Sequence, residues 1–150
     1  MLDVLMKNGG HRIDYFESGT EIISDAAALY IRAEMPDDAH YDHQAKHQLY
    51  QGLAIISAKI GFQKLAGIYI DVNNLENLER PAYQRMKQDL LDGMFRRIYV
   101  LDSNAILGHP AADADLRDLY WSAGGFELIS YENGVAEPLS ICCRDQAWAV

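Results

Sequence analysis

Short apolar runs alternate along the chain with longer segments in which apolar residues recur every three or four positions. Apolar runs of four to eight residues have the length of buried strands, whereas the three-to-four spacing is typical of amphipathic helices. The runs that predict strands lie at 27–33, 65–72, 95–102 and 126–131. A fifth run, at 138–143, is a candidate strand only. The segments between them predict helices.

Three helices are predicted, and glycine or proline marks their ends. The first carries an apolar stripe of Ala45, Leu49, Leu53, Ile56 and Ile60. Gly61 supplies its stop, because glycine readily adopts the backbone conformation that ends a helix. Pro81 suits the first position of the second helix, which Gly93 closes. The third helix covers 112–125 and ends at two glycines.

This alternation of strands and helices predicts an α/β fold. We expect a mostly parallel sheet of four or five strands with helices on both faces, formed as one domain by residues 25–150. Residues 1–24 are polar and contain turn-like sequences, which predict an N-terminal arm or hairpin. We expect this arm to lie along a sheet edge or to reach a neighbouring subunit.

The charge of the chain disfavours several partners. The formal net charge is −9, from 22 acidic residues against 13 lysines and arginines. Such a field repels phosphate, so we expect neither direct nucleic-acid binding nor attraction to an anionic membrane. The sequence has no apolar run of about 18 residues and no secretory signal. Adjacent Cys142 and Cys143 suit a reducing compartment, so we expect a cytoplasmic protein.

Polar residues at the carboxyl ends of the predicted strands are the candidate functional groups. In mostly parallel sheets, ligands bind in the crevice at this end of the strands. Side chains alternate along a strand, so Arg32 and Glu34 point to the same face and can reach each other. The other candidates at strand ends are Asp71, Asp102, Ser103, Asn104, Tyr131 and Glu132.

Set in order, these segments resemble the catalytic domain of the serine recombinases, the resolvase/invertase family. The resemblance covers about residues 26–135 and includes the sequences LYIRAE, GIYIDV, ERPAYQRM, IYVLDSN and YENG. The matching residues are Tyr30, Arg32, Gln44, Tyr69, Asp71, Arg80, Pro81, Leu101, Asp102 and the turn at 132–134. The resemblance implies a resolvase-like, three-layer α/β/α fold.

Departures from the family pattern imply that recombinase chemistry is lost. Glu34 stands where the family has the serine that attacks a DNA phosphate. A carboxylate is a weak nucleophile, and about 4 Å from a phosphate it adds repulsion of order 4 kcal/mol at an effective dielectric constant of about 20. Ser103 and Ile106 replace two family arginines, and losing one such electrostatic donor typically costs about 100- to 1,000-fold in rate.

The resemblance therefore implies a catalytically inactive domain that retains a vestigial pocket. That pocket comprises Arg32, Glu34, Gln44, Asp71, Arg80, Asp102 and Ser103. We expect Glu34 to neutralise Arg32, with Arg80 as a second cation, and we expect no cofactor. The expected function is protein interaction or self-association, and the family analogy implies an accessory or regulatory role in DNA recombination or mobile elements. The chain continues only a short way past Gly134, so we expect no DNA-reading domain.

Other interpretations stay open from the sequence alone. Glu34, Asp71 and Asp102 are three acids at strand ends, a set that favours a Mg²⁺-dependent phosphodiesterase or nuclease. A helical set of histidines is a second candidate metal site: His40, His43 and His47. The simplest interpretation is that charges at strand ends are solvated by water and have no further role.

Overall fold

Strands and helices alternate along the chain in the computed structural model, as the apolar pattern predicts. The residues that the structure describes are 10–16, 26–33, 44–59, 61–72, 80–101, 110–131 and 137–138. The strands are β1 Gly10–Tyr15, β2 Ala27–Ala33, β3 Leu65–Val72, β4 Arg97–Val100, β5 Glu127–Ser130 and β6 Glu137–Pro138. The helices are α1 Gln44–Lys59, α2 Pro81–Leu91 and α3 Pro110–Ala123, with a short 3-10 helix at Phe62–Lys64.

One mostly parallel sheet contains all the described strands, in the order β1-β3-β2-β4-β5-β6. The four central strands β3, β2, β4 and β5 run parallel to one another. The strands at the two edges, β1 and the two-residue β6, pair antiparallel with their neighbours. The predicted class, α/β with a mostly parallel sheet, is confirmed.

Strands β2 and β3 are mostly apolar because both of their faces are covered. Every residue of β2 and of β3 is buried. Successive β2 residues alternate between two hydrophobic clusters: Ala28 and Tyr30 belong to one, Leu29 and Ile31 to the other. Since side chains alternate across a strand, the two clusters lie on opposite sides of β2.

Each cluster also includes side chains from helices, and the helices differ between the two clusters. Ile56 of α1, with the partly buried Leu49 and Leu53, packs into the cluster that contains Leu29. The cluster that contains Tyr30 receives side chains of α2 and α3: Ala82, Tyr83, Met86, Leu90, Leu116 and Leu119. The three- and four-residue spacing in the sequence thus corresponds to buried helix faces.

The sequence predicts β2 and β3 with the observed bounds, and α2 with its observed start at Pro81. The strand predicted at 95–102 is shorter, covering Arg97–Val100. The strand at 138–143 was predicted only as a candidate; a two-residue β6 lies at its start, and residues 139–143 lie outside the described residues. Of the predicted arm, Gly10–Tyr15 forms an edge strand that pairs with β3, so this part does lie along a sheet edge.

Candidate functional site

The predicted strand-end residues that the structure describes meet where β2 and β3 end and α2 begins. Arg32 of β2 pairs with Asp71 of β3, and Tyr30 pairs with Tyr69 in the same parallel register. Paired residues of neighbouring strands point to the same face, which here is the face that α2 covers. Arg80 occupies the N-cap position of α2. Three of the residues predicted to share a pocket therefore lie in one region of the fold.

Asp71 is the hydrogen-bonding centre of this region. One carboxylate oxygen, Oδ1, accepts the backbone N–H of Ala82 at 3.0 Å. The other, Oδ2, accepts the backbone N–H of Tyr83 at 3.0 Å and the hydroxyl of Tyr30 at 2.9 Å. Both oxygens of a fully buried carboxylate are thus engaged by protein donors.

These contacts explain how α2 begins. The first N–H groups of a helix have no partner within the helix and need one from outside. Pro81 at the first helical position has no N–H, and Arg80 at the N-cap makes no side-chain capping bond. The next two N–H groups, of Ala82 and Tyr83, donate to Asp71. Asp71 therefore caps α2 from the neighbouring strand, and its negative charge also suits the positive end of the helix dipole.

The charged groups of this region are buried. Arg32 is 5% exposed, Arg80 4% and Asp71 0%. The interpretation that such strand-end charges are solvated is therefore wrong for Arg32 and Asp71. Burial raises the pKa of Asp71, because it disfavours the charged form, while the hydrogen bonds from Ala82, Tyr30 and Tyr83 oppose the rise. Burial, and then the charge of Asp71, raise the pKa of the Tyr30 hydroxyl well above its usual range.

Four of the predicted pocket residues are described only partly or not at all. Gln44 is the first residue of α1, and its side chain lies outside the described residues. Glu34, Asp102 and Ser103 also lie outside them, as do the turn at 132–134 and two of the predicted histidine ligands, His40 and His43. His47 lies on α1 and is exposed. No group of three or more metal-ligating side chains occurs in the part of the chain that the structure describes.

Sequence analysis missed a second polar centre, around Asp89 of α2. Asp89 is 1% exposed. Its Oδ2 accepts the hydroxyl of Tyr69 at 2.7 Å and the hydroxyl of Tyr15 at 2.8 Å. Arg85 lies with its Nε 3.2 Å from Oδ1 and donates to the Tyr15 hydroxyl at 3.0 Å. Burial, and then the bond to Asp89, raise the pKa of the Tyr69 hydroxyl.

The Asp89 centre attaches the edge strand to the rest of the fold, because it joins β1, β3 and α2 through three side chains. A signal for it is present in the sequence. Asp89 lies three residues after Met86 and one before Leu90, and so falls on the apolar stripe of its helix. An acid on an apolar stripe is buried only with partners, although the stripe does not say which.

A surface groove of about 270 Å³ lies between α2 and α3, away from Arg32, Asp71 and Arg80. Asp115 of α3 is on its wall and accepts hydrogen bonds from Lys87 at 2.6 Å and from the Tyr83 hydroxyl at 3.2 Å. The Lys87 ammonium also lies 5.2 Å from the centre of the Tyr83 ring. These contacts join two helices, and the groove does not include the predicted pocket.

Comparisons with protein-family models and with curated protein sequences found no match to this chain. The resemblance to serine recombinases therefore depends on the motifs in the sequence and stays a prediction. None of the described helices is both long enough and apolar enough to span a membrane.

Proposed function

We propose that this chain is a resolvase-like, three-layer α/β/α domain that has lost recombinase chemistry and acts by binding protein in the cytoplasm. The observation that carries the proposal is the use of Asp71, whose two oxygens cap α2 and hold Tyr30. A carboxylate that already accepts three hydrogen bonds inside the protein is poorly available to a metal or a substrate.

The sequence supports the loss of recombination independently of Asp71. Glu34 occupies the position of the family's nucleophilic serine. Its expected partners, Arg32 and Arg80, are both buried in the region of Asp71. We propose that Glu34 pairs with these arginines, because buried charges are stable only when they are paired. The proposed pocket is then a structural charge network.

Exposed aromatic side chains support a binding role. Phe62, in the short 3-10 helix before β3, is 53% exposed, and Trp121 near the end of α3 is 63% exposed. Tyr15, the last residue of β1, and the next residue, Phe16, lie at the same end of the sheet, where Phe16 donates its N–H to the carbonyl of Ala66. These groups lie at the amino end of the parallel strands, opposite the predicted pocket. Aromatic residues are enriched in protein interfaces, so this end of the sheet is suited to a protein partner.

The alternative, a Mg²⁺-dependent phosphodiesterase or nuclease, requires Asp71 to work with Glu34 and Asp102. Of these three acids, the structure describes Asp71, and its oxygens are engaged as described above. The described contacts therefore favour the binding role over metal-dependent hydrolysis.

A cleavage assay separates the two functions. Purified full-length protein is incubated with supercoiled plasmid and with a chromogenic phosphodiester, with and without Mg²⁺ or Mn²⁺. We expect no cleavage above the buffer control. Metal-dependent cleavage that Glu34→Gln abolishes, while the matched Glu127→Gln variant retains it, would overturn the proposal. Glu127 is a suitable control because it is an exposed acid at the opposite, starting end of a parallel strand.

A further inference from the structure

The outer edge of β1 is the feature that carries a further inference. Within the described residues, β1 is the last strand at one side of the sheet and pairs only with β3. An edge strand presents a row of backbone N–H and C=O groups that another strand can pair with. The six residues of β1, Gly10–Tyr15, are long enough for such pairing.

The antiparallel register identifies which backbone groups face outward. Phe16 donates its N–H to the carbonyl of Ala66 at 3.0 Å, so the N–H and C=O of Phe16 face β3. In an antiparallel pair this orientation alternates along the strand. The residues that also face β3 are Gly10, Arg12 and Asp14. The residues whose backbone groups face the outer edge are His11, Ile13 and Tyr15.

The side chains of β1 divide between the two faces of the sheet in the same alternation. Ile13 packs against the cluster that contains α2, and the Tyr15 hydroxyl reaches Asp89 of α2. Arg12 and Asp14 therefore lie on the opposite face. There the Nε of Arg12 lies 2.8 Å from Oδ2 of Asp14, with the two side chains 38% and 37% exposed.

We propose that a second copy of this chain pairs with the outer edge of β1, antiparallel and about a two-fold axis at Ile13. Ile13 then opposes Ile13 of the second copy, and His11 opposes Tyr15. These are outward-facing residues on both strands, so the pairing makes about six backbone hydrogen bonds. Arg12 opposes Asp14 of the second copy in the two remaining positions, where cross-strand side chains approach most closely.

Charge selects this register over its neighbours. A shift by two residues in one direction places Arg12 opposite Arg12, and a shift in the other direction places Asp14 opposite Asp14. Like charges directly opposite each other are destabilising. A shift by one residue opposes outward-facing residues to inward-facing ones and loses the hydrogen bonds. The Gly10–Tyr15 strand is thus complementary to itself in one antiparallel register.

This inference depends on the proposed function, since it names the binding partner as a second copy and the surface as β1. The proposed pairing joins the sheets of two copies into one continuous sheet and covers the edge that β1 forms among the described strands. The interface is isologous, as expected for a two-fold dimer.

Charge reversal tests the register. Sedimentation velocity across a concentration series measures the dimer dissociation constant of the full chain and of the variants Arg12→Asp and Asp14→Arg. Each variant places like charges opposite each other at both symmetric positions, so we expect each to dimerise about 30-fold more weakly. An equimolar mixture of the two variants restores opposite charges, so we expect a heterodimer with an affinity close to that of the unmodified chain.

Two exposed residues provide controls with the same change in net charge. Lys59→Asp matches Arg12→Asp, and Asp118→Arg matches Asp14→Arg, and both positions lie on helices. We expect neither control to alter the dissociation constant by more than about threefold. Equal effects of the controls and the β1 variants, or no recovery in the mixture, would overturn the inference.

Hydrogen exchange provides a readout that requires no substitution. Raising the concentration of the unmodified chain should slow amide exchange at His11, Ile13 and Tyr15, because these N–H groups become bonded in the dimer. The amides of Arg12 and Asp14 already face β3 and should change much less. A chain that stays monomeric to about 1 mM, or dimerises without this alternating protection, contradicts the β1 interface. Neither of these results concerns phosphodiester cleavage, which is the result that would overturn the proposed function. The failure of this inference is therefore distinct from the failure of the proposed function.

Discussion

The carboxylate of Asp71 accepts hydrogen bonds from three buried donors, and Asp71→Ala removes their acceptors in a single substitution. Two of the donors are the first available N–H groups of α2, and the third is the hydroxyl of Tyr30, whose side chain is 1% exposed. A buried donor left without a partner costs about 1–3 kcal/mol. Loss of a helix cap by itself costs about 1 kcal/mol.

For three donors this cost amounts to about 3–9 kcal/mol, and two effects keep the expected loss near the lower end of that total. Water can enter the space that the carboxylate leaves and bond some of the donors. Burial also raises the pKa of Asp71, which means that the fold already opposes its charge, and alanine relieves that opposition. We therefore expect Asp71→Ala to lower the free energy of unfolding by about 3 kcal/mol, or the melting temperature by about 6–12 °C.

Urea unfolding followed by far-ultraviolet circular dichroism measures this loss. Asp118→Ala is the matched control, because Asp118 is an exposed carboxylate on α3 and its loss should change stability by less than about 0.5 kcal/mol. Asp71→Asn keeps one acceptor oxygen, so its loss of unfolding free energy should lie between the losses for Asp71→Ala and Asp118→Ala. A loss below about 1 kcal/mol for Asp71→Ala would refute the assignment of Asp71 as the cap of α2.

Two further predictions concern the buried polar groups. Tyr69→Phe removes a hydroxyl that donates to buried Asp89 at 2.7 Å, and it should lower the free energy of unfolding in urea by about 1.5–3 kcal/mol. Tyr15→Phe should lower it by less, because Tyr15 is 50% exposed. Equal losses for the two variants would contradict the difference in burial between Tyr69 and Tyr15. Because the pKa of Asp71 is raised in the fold, its protonated form adds stability that is fully present below the ordinary value of 3.8 and is lost as the pH rises through the folded value. The free energy of unfolding of the unmodified chain, relative to that of Asp71→Asn, should therefore fall as the pH is raised from about 4. A rise would mean that the fold lowers the pKa of Asp71 and would contradict this prediction.

The apolar pattern predicted the strands that are buried on both faces. Runs such as AALYIRA and LAGIYIDV are apolar except near their carboxyl ends, and every residue of both strands is buried. The start of α2 was predictable from Pro81 because the fixed backbone angle of proline suits a first helical turn. In these cases local chemistry and the observed element agree.

The contacts of the candidate site were less predictable, because they depend on which strand lies beside which. Asp71 reads as the polar end of a strand, and only the approach of α2 makes it a cap. Asp89 stands on an apolar helix stripe, but its partners Tyr15 and Tyr69 are 74 and 20 residues away in sequence. The pairing of Gly10–Tyr15 with β3 likewise depends on sheet order, although a position along a sheet edge was expected.

The most direct test of the central claim is whether Asp71 binds a divalent metal or keeps α2 capped. In ¹⁵N-labelled full-length protein, the amide signals of Ala82 and Tyr83 report on Asp71, because both N–H groups lie 3.0 Å from its oxygens. Paramagnetic Mn²⁺ should leave the intensities of these two signals like those of buried amides in β4. Selective broadening of both signals at less than one equivalent of Mn²⁺ would place a metal at Asp71 and contradict the account.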